Sequence, residues 1–159
     1  MSMRKEPMTP EGHQKLKEEL ENLLKVQRPE NVRAIADARA HGDLSENAEY
    51  HAAKERQSFI EGRIQEVQNK IARADVIDPA KISHDKVAFG ATVTVLDVDT
   101  NEEKIYKIVG VDESDIKSGK LSIHSPMAKS LIGKSEGDEV TVRAPARTIE
   151  YEILEIRFE

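Results

Sequence analysis

The chain has no cysteine and no tryptophan. The missing cysteine removes disulfide frameworks, zinc ribbons and thiol nucleophiles together, and is compatible with a reducing compartment. A basic excess is also missing. The net charge is −6, whereas domains that grip nucleic acid by bulk electrostatics carry a clear surplus of Lys and Arg. Work on nucleic acid would therefore fall to a partner protein or to a locally basic patch. No run approaches the roughly 20 apolar residues of a membrane span. The start, "MSMRKEPMTPEGHQ", has no apolar core segment of a targeting signal. The reading is a cytoplasmic protein with no membrane partner. What is present is charge, 34% of the 159 residues against 38% hydrophobic and 4% aromatic, a balance that suggests long, solvated helices.

The hydrophobic period changes once along the chain. From Thr9 to about Ile77 it is helical, with Thr9 as N-cap, Pro10 at the first helical position and Glu11 in the first turn. Leu16, Leu20 and Leu23 step by 4 and 3, and Ile60, Ile64, Val67, Ile71 and Ala74 step in heptad fashion. If the two helices pair antiparallel, facing residues have numbers with a constant sum. Leu16 with Ile71, Leu20 with Val67, Leu23 with Ile64 and Gln27 with Ile60 all give 87. The seam alone therefore predicts a hairpin turning between Asp43 and Leu44, with His41 to Ser45 at its tip. Pro29 is expected to kink the first arm, with "RPE" restarting the helix towards Val32 and Ile35. An alanine-rich seam (Ala36, Ala38, Ala48, Ala52, Ala53) is expected to slim the tip. Arms of about 34 residues make a rod on the order of 50 Å.

After Asp78-Pro79 the period is 2. Strands are expected over Ala91 to Thr100, Lys104 to Gly110, Leu121 to His124, Glu139 to Arg143 and Thr148 to Phe158. "SPMAKSLIGK" reads as one short helix with Ser125 as N-cap and Gly133 just past its end. The fold class is α+β: an N-terminal antiparallel α-helical coiled-coil hairpin over 1–79, then a small antiparallel β domain with one helix over 80–159. Up to Asp78 there are 13 Lys and Arg against 15 Asp and Glu, and beyond it 11 against 15, so neither half is basic.

The chemistry-bearing stretch is "ARAHGDLSENAEYHAAKER". It sets Asp43, Glu46 and Glu49 among Arg39, Lys54, Arg56, His41 and His51. One reading is structural: Asp43-x-x-Glu46 has the outline of a capping box at the start of the second helix. The other is chemical. Two carboxylates three residues apart can share one divalent cation, and Mg²⁺ is commonly held by one or two protein carboxylates plus phosphate oxygens and waters. An exposed turn with two acids cannot build a closed two-metal site, so such acids would act inside another protein's active site. The position of the acids at the end of a rod, and of apolar Leu44 between them, favours the second. The sum rule also sets Arg33 level with Lys54. A zincin helix is excluded, because "HAAKE" lacks its second His, and the glycines form no phosphate cradle.

These residues resemble the bacterial Gre transcript-cleavage factors, a family of transcription elongation factors. The likeness runs through "MTPEGHQKLKEELENL", "IADARAHGDLSENAEYHAAKERQ", "EGRIQEVQNKIARADVID", "FGATVTVLD", "YKIVG" and "SPMAKSLIGK". It implies a coiled coil followed by an FKBP-like domain. It also implies binding to RNA polymerase at its secondary channel and rim helices, with stimulation of the polymerase's own cleavage of backtracked nascent RNA. By resemblance, Asp43 and Glu46 are the tip acids that hold Mg²⁺ and orient water within the polymerase active site, with no cofactor held stably by the chain alone. Arg39 and Lys54 are the basic patch for the RNA 3′ end. Ser125, Pro126 and Ala128 lie in the docking segment, with His124 departing from the expected Asn or Asp. The implied protein is a monomer that activates another enzyme and has no stand-alone catalysis. The alternatives are a secondary-channel inhibitor without cleavage, and a prolyl isomerase or chaperone; for the latter the aromatic lining of the usual pocket is sparse.

Overall fold

The structure is a computed structural model and describes residues 4–43, 46–82 and 84–159. It divides into two compact units. One is His13–Ala74; the other joins the residues up to Gly12 to Asp75–Glu159.

The first unit is the helical hairpin. Its first arm contains α1 (Pro10–Asn22), a π-helical segment (Leu23–Gln27) and α2 (Arg28–Arg39); its second is α3 (Ala48–Arg73). At 26 residues, α3 is about 39 Å long. The arms end at Arg39 and begin again at Ala48, so they bracket the turn that the seam predicts. Leu16, Leu23, Ile35 and Ala38 from the first arm, and Ala53, Ile60, Ile64 and Val67 from the second, are buried along the seam. Burying one such large aliphatic side chain stabilises by about 1.5–3 kcal/mol. Two bidentate pairs cross the seam. Arg63 donates to Glu19 at 2.6 and 2.7 Å, and Arg28 donates to Glu61 at 2.8 and 2.8 Å. Their numbers sum to 82 and 89, either side of 87.

The first arm is interrupted before Pro29, by the π segment, and α2 restarts at Arg28 in the expected "RPE". Pro29 cannot donate, and its ring clashes with the carbonyl four residues back; the π segment absorbs this, with the Arg28 N–H reaching Leu23 O. Two other details differ from the sequence reading. Val32 is 55% exposed, and Asn31 takes the buried position instead. Its Nδ2 donates to Ala53 O at 3.2 Å, while its Oδ1 has no partner among the described residues. Of the five alanines expected in the seam only Ala38 and Ala53 are buried, so the close approach of the backbones rests on those two.

In the second unit, β1 (Glu6–Met8) pairs with β2 (Ala74–Val76), and five strands form a sheet. They are β3 (Ala91–Asp97), β4 (Glu103–Val109), β5 (Lys120–Ser122), β6 (Glu139–Arg143) and β7 (Thr148–Phe158), in the order β5-β4-β3-β7-β6. The sheet is antiparallel except at its edge, where β5 runs parallel to β4. The connection there is a crossover through two short 3₁₀ turns, Val111–Glu113 and Ile116–Ser118, in place of a hairpin. Helix α4 (Pro126–Leu131) contributes Ala128 and Leu131 to the core that Val93, Val95, Ile108 and Ile153 supply from the sheet. Gly133 follows α4 with φ +86°, the left-handed position expected of it.

Thr9 to Gly12 belong to this second unit. Thr9 Oγ1 accepts from Gly12 N at 3.2 Å, the expected N-cap. The Glu113 carboxylate accepts from Thr9 N and Gly110 N, each at 3.0 Å, and from the Thr9 hydroxyl. A Cβ at Gly12 would overlap the Glu113 side chain, so any larger residue there would have to displace the Glu113 carboxylate from these bonds.

Candidate functional site at the hairpin turn

At the end of α2, His41 N donates to Ala38 O at 3.1 Å and Gly42 N to Arg39 O at 3.4 Å. Gly42 has φ +115°, a conformation that penalises any side chain. Leu44 and Ser45 lie outside the described residues.

The N-cap of α3 is Asn47. Its Oδ1 accepts from Tyr50 N at 3.0 Å, and its Nδ2 donates across the turn to Ala38 O at 2.6 Å. The N-cap of α3 therefore lies four residues beyond Asp43, as a single side-chain cap with Tyr50 at the third helical position in place of the Glu of a capping box, and the helix begins after both acids. Asn and Asp are equally good N-caps. What decides between them is that only Asn47 also carries a donor for the Ala38 carbonyl. With Asn47 as its N-cap, α3 starts after both carboxylates, and neither Asp43 nor Glu46 caps it.

Asp43 and Glu46 are both exposed. With His41, Asn47, Ala48 and Glu49 they line an open hollow of about 480 Å³. His41 Nδ1 stands 3.9 Å from Glu49 Oε2 on one side of it, and the His51 ring packs edge-on to Tyr50 at 5.7 Å. The cations gather separately. Arg39 lies over the Tyr50 ring, 5.9 Å from its centroid, and Lys54 Nζ donates to Gln57 Oε1 at 2.9 Å. Arg39 and Lys54 share a groove of about 280 Å³ with Val32, Ile35, Ala36 and Gln57, and Arg33 is not part of its lining. One end of the hairpin thus carries a pair of acids in one hollow and a pair of cations in another.

The third group of candidate residues is on α4. Ser125 Oγ accepts from Ala128 N at 3.1 Å, and Pro126 occupies the first turn. Pro126 and His124 are exposed, while Ala128 is fully buried in the core. Ala128 therefore supports this surface from beneath and does not form it. His124 Nε2 is 3.1 Å from Glu6 Oε2.

The sequence reading overlooked Asn47, Tyr50 and Gln57. The signal for Asn47 was available, because Asn47 followed by Glu49 and a heptad run is itself a helix start. No sequence signal marks Tyr50 as the platform for Arg39, since the pairing spans the turn.

Comparison with known proteins decides the family. The model for the N-terminal part of the GreA/GreB transcription elongation factors matches residues 6–76, and the model for the C-terminal part matches residues 82–158. The chain belongs to this family. It is 66% identical over 153 residues to transcription elongation factor GreA of Thermodesulfovibrio yellowstonii, covering 96% of this chain and 97% of that one. Against GreA of Hyphomonas neptunium it is 60% identical over 154 residues, covering 97% and 98%. The crystal structure of GreA factor homolog 1 of Thermus thermophilus is 24% identical, with a TM-score of 0.44 over 97% of this chain and 99% of that one. Among the described residues of this family member, no helix is long and apolar enough to cross a membrane.

Proposed function

We propose that this protein binds RNA polymerase, reaches through its secondary channel with the hairpin turn, and stimulates the polymerase's own hydrolysis of backtracked nascent RNA. The observation that carries this reading is the displacement of the helix cap to Asn47, which leaves Asp43 and Glu46 outside α3 on one exposed hollow. Family membership supplies the polymerase as partner.

The donor set suits a shared Mg²⁺. Two carboxylates are hard oxygen ligands, but they fill at most two places of a near-octahedral shell, so phosphate oxygens, waters and the partner's acids would supply the rest. Bound there, the metal would lower the pKa of a coordinated water and offset charge developing on the phosphate. The chain's own residues have separate tasks. Asp43 and Glu46 are the acceptors that orient the attacking water. Arg39, held against Tyr50, and Lys54 present positive charge to the displaced RNA; Arg39 can grip a phosphate with two N–H groups, whereas Lys54 offers a point charge. Docking falls to the surface at exposed Pro126 and half-buried Ser125, with Ala128 beneath it. The negative charge of the rest of the chain disfavours indiscriminate contact with nucleic acid.

The test is a cleavage assay on stalled, backtracked complexes with Mg²⁺, run beside polymerase-free RNA. We expect shortened transcripts only where polymerase and this protein are both present. Binding without cleavage would favour a purely regulatory occupant of the channel, and cutting of RNA by the protein alone would make it an enzyme.

A further inference from the structure

We propose that Asn47 is a positioning residue for the reaction, acting through the backbone of the turn that carries Asp43 and Glu46. This inference rests on the function proposed above. Its Oδ1 caps α3 through Tyr50 N, and its Nδ2 reaches Ala38 O at 2.6 Å, nine residues earlier in the chain. The same Ala38 carbonyl accepts from His41 N at 3.1 Å. One side chain thus joins the last turn of α2, the first turn of the connecting segment and the start of α3. Ala38 and Asn47, the residues that this amide links, flank the stretch of sequence that carries both acids. Asn47 also borders the hollow that Asp43 and Glu46 line, so the clip lies beside the groups whose spacing matters.

A cap alone does not require asparagine. Ser and Asp cap as well as Asn does, but neither can donate an amide N–H to the Ala38 carbonyl. Asp would in addition set a negative oxygen against that carbonyl. Asparagine at 47 is therefore explained by the clip and not by the cap. Small displacements of groups that position a reacting atom cost as much as about a hundredfold in rate, so releasing one end of the turn will register in the chemistry before it registers in the fold.

The experiment compares Asn47→Ser and Asn47→Asp with the double variant Asp43→Asn, Glu46→Gln. In the free protein, amide exchange at His41 and Gly42 accelerates in both Asn47 variants while the helical content of α3 is retained. On stalled complexes, polymerase binding is unchanged and cleavage at saturating protein falls roughly ten- to hundredfold. The Mg²⁺ concentration for half-maximal cleavage also rises, a shift that a loss of fold would not produce. Wild-type exchange and wild-type cleavage by Asn47→Ser would overturn the inference. So would faster exchange with an unchanged cleavage rate and Mg²⁺ requirement. If the double variant also cleaves normally, the function proposed above fails as well. If it is inactive while Asn47→Ser is active, only the role of Asn47 falls.

Discussion

Glu19 and Arg63 show how much a single pair contributes to the hairpin. The Arg63 hydrogen bonds hold the Glu19 carboxyl below its usual 4.5 against an opposing desolvation effect, while Glu19 raises the Arg63 pKa. A carboxylate with a depressed pKa stabilises the fold above its unfolded value and loses that contribution as pH falls through the folded value. Because Glu19 remains 36% exposed, solvent screening limits the pair to about 1 kcal/mol or less. We predict that the hairpin's melting temperature drops as pH is lowered from about 5 to about 3, and that Arg63→Met flattens this slope. An unchanged slope in the variant would show that other carboxylates carry the acid sensitivity. The same balance operates at Asp97 in the sheet unit. Burial pushes its carboxyl up, but the Asp99 and Thr100 N–H groups and Arg147 outweigh that and hold it below the ordinary value.

At the scale of elements, the seam makes a graded prediction. Ile60 is 1% exposed and Leu20 only half-buried, so Ile60→Ala should cost about 2–5 kcal/mol and Leu20→Ala distinctly less. Thermal melts of the two variants check the order. Asn31→Leu should raise the melting temperature, because it removes a buried oxygen that has no partner among the described residues, at the loss of one 3.2 Å hydrogen bond. A lower melting temperature would show that this oxygen is satisfied in solution. These elements also show what was legible in the sequence. The hairpin turn could be located from the sum of seam positions because heptad spacing survives over several turns on both arms. Strands β6 and β7 could be bounded to the residue because alternation and flanking Gly and Pro mark them. β1 and β2 could not, since three residues show no period, and the parallel setting of β5 depends on a crossover that alternation does not encode. At the site, the two acids were legible as a pair. Which polar residue caps α3 was not, because Asp43 and Asn47 both satisfy the local pattern and the Ala38 carbonyl decides between them from across the turn.

For the whole molecule, the account assigns docking to the sheet unit and chemistry to the hairpin turn, so damage to the two should look different in kinetics. Ser125→Ala removes the cap of a six-residue helix and Pro126→Ala alters the exposed surface beside it. We predict that this double variant weakens polymerase binding but reaches wild-type cleavage when its concentration is raised. A fixed ceiling at all concentrations would place α4 in the chemistry. The most direct measurement is the cleavage rate of Asp43→Asn, Glu46→Gln at saturating protein on a stalled complex. Since Asn47 caps α3, both substitutions leave the helix start intact, and hydrogen-bonding shape is kept while the negative oxygens are lost. The account predicts normal polymerase binding with strongly reduced cleavage that high Mg²⁺ restores at most in part. Near-normal cleavage by this variant would contradict it.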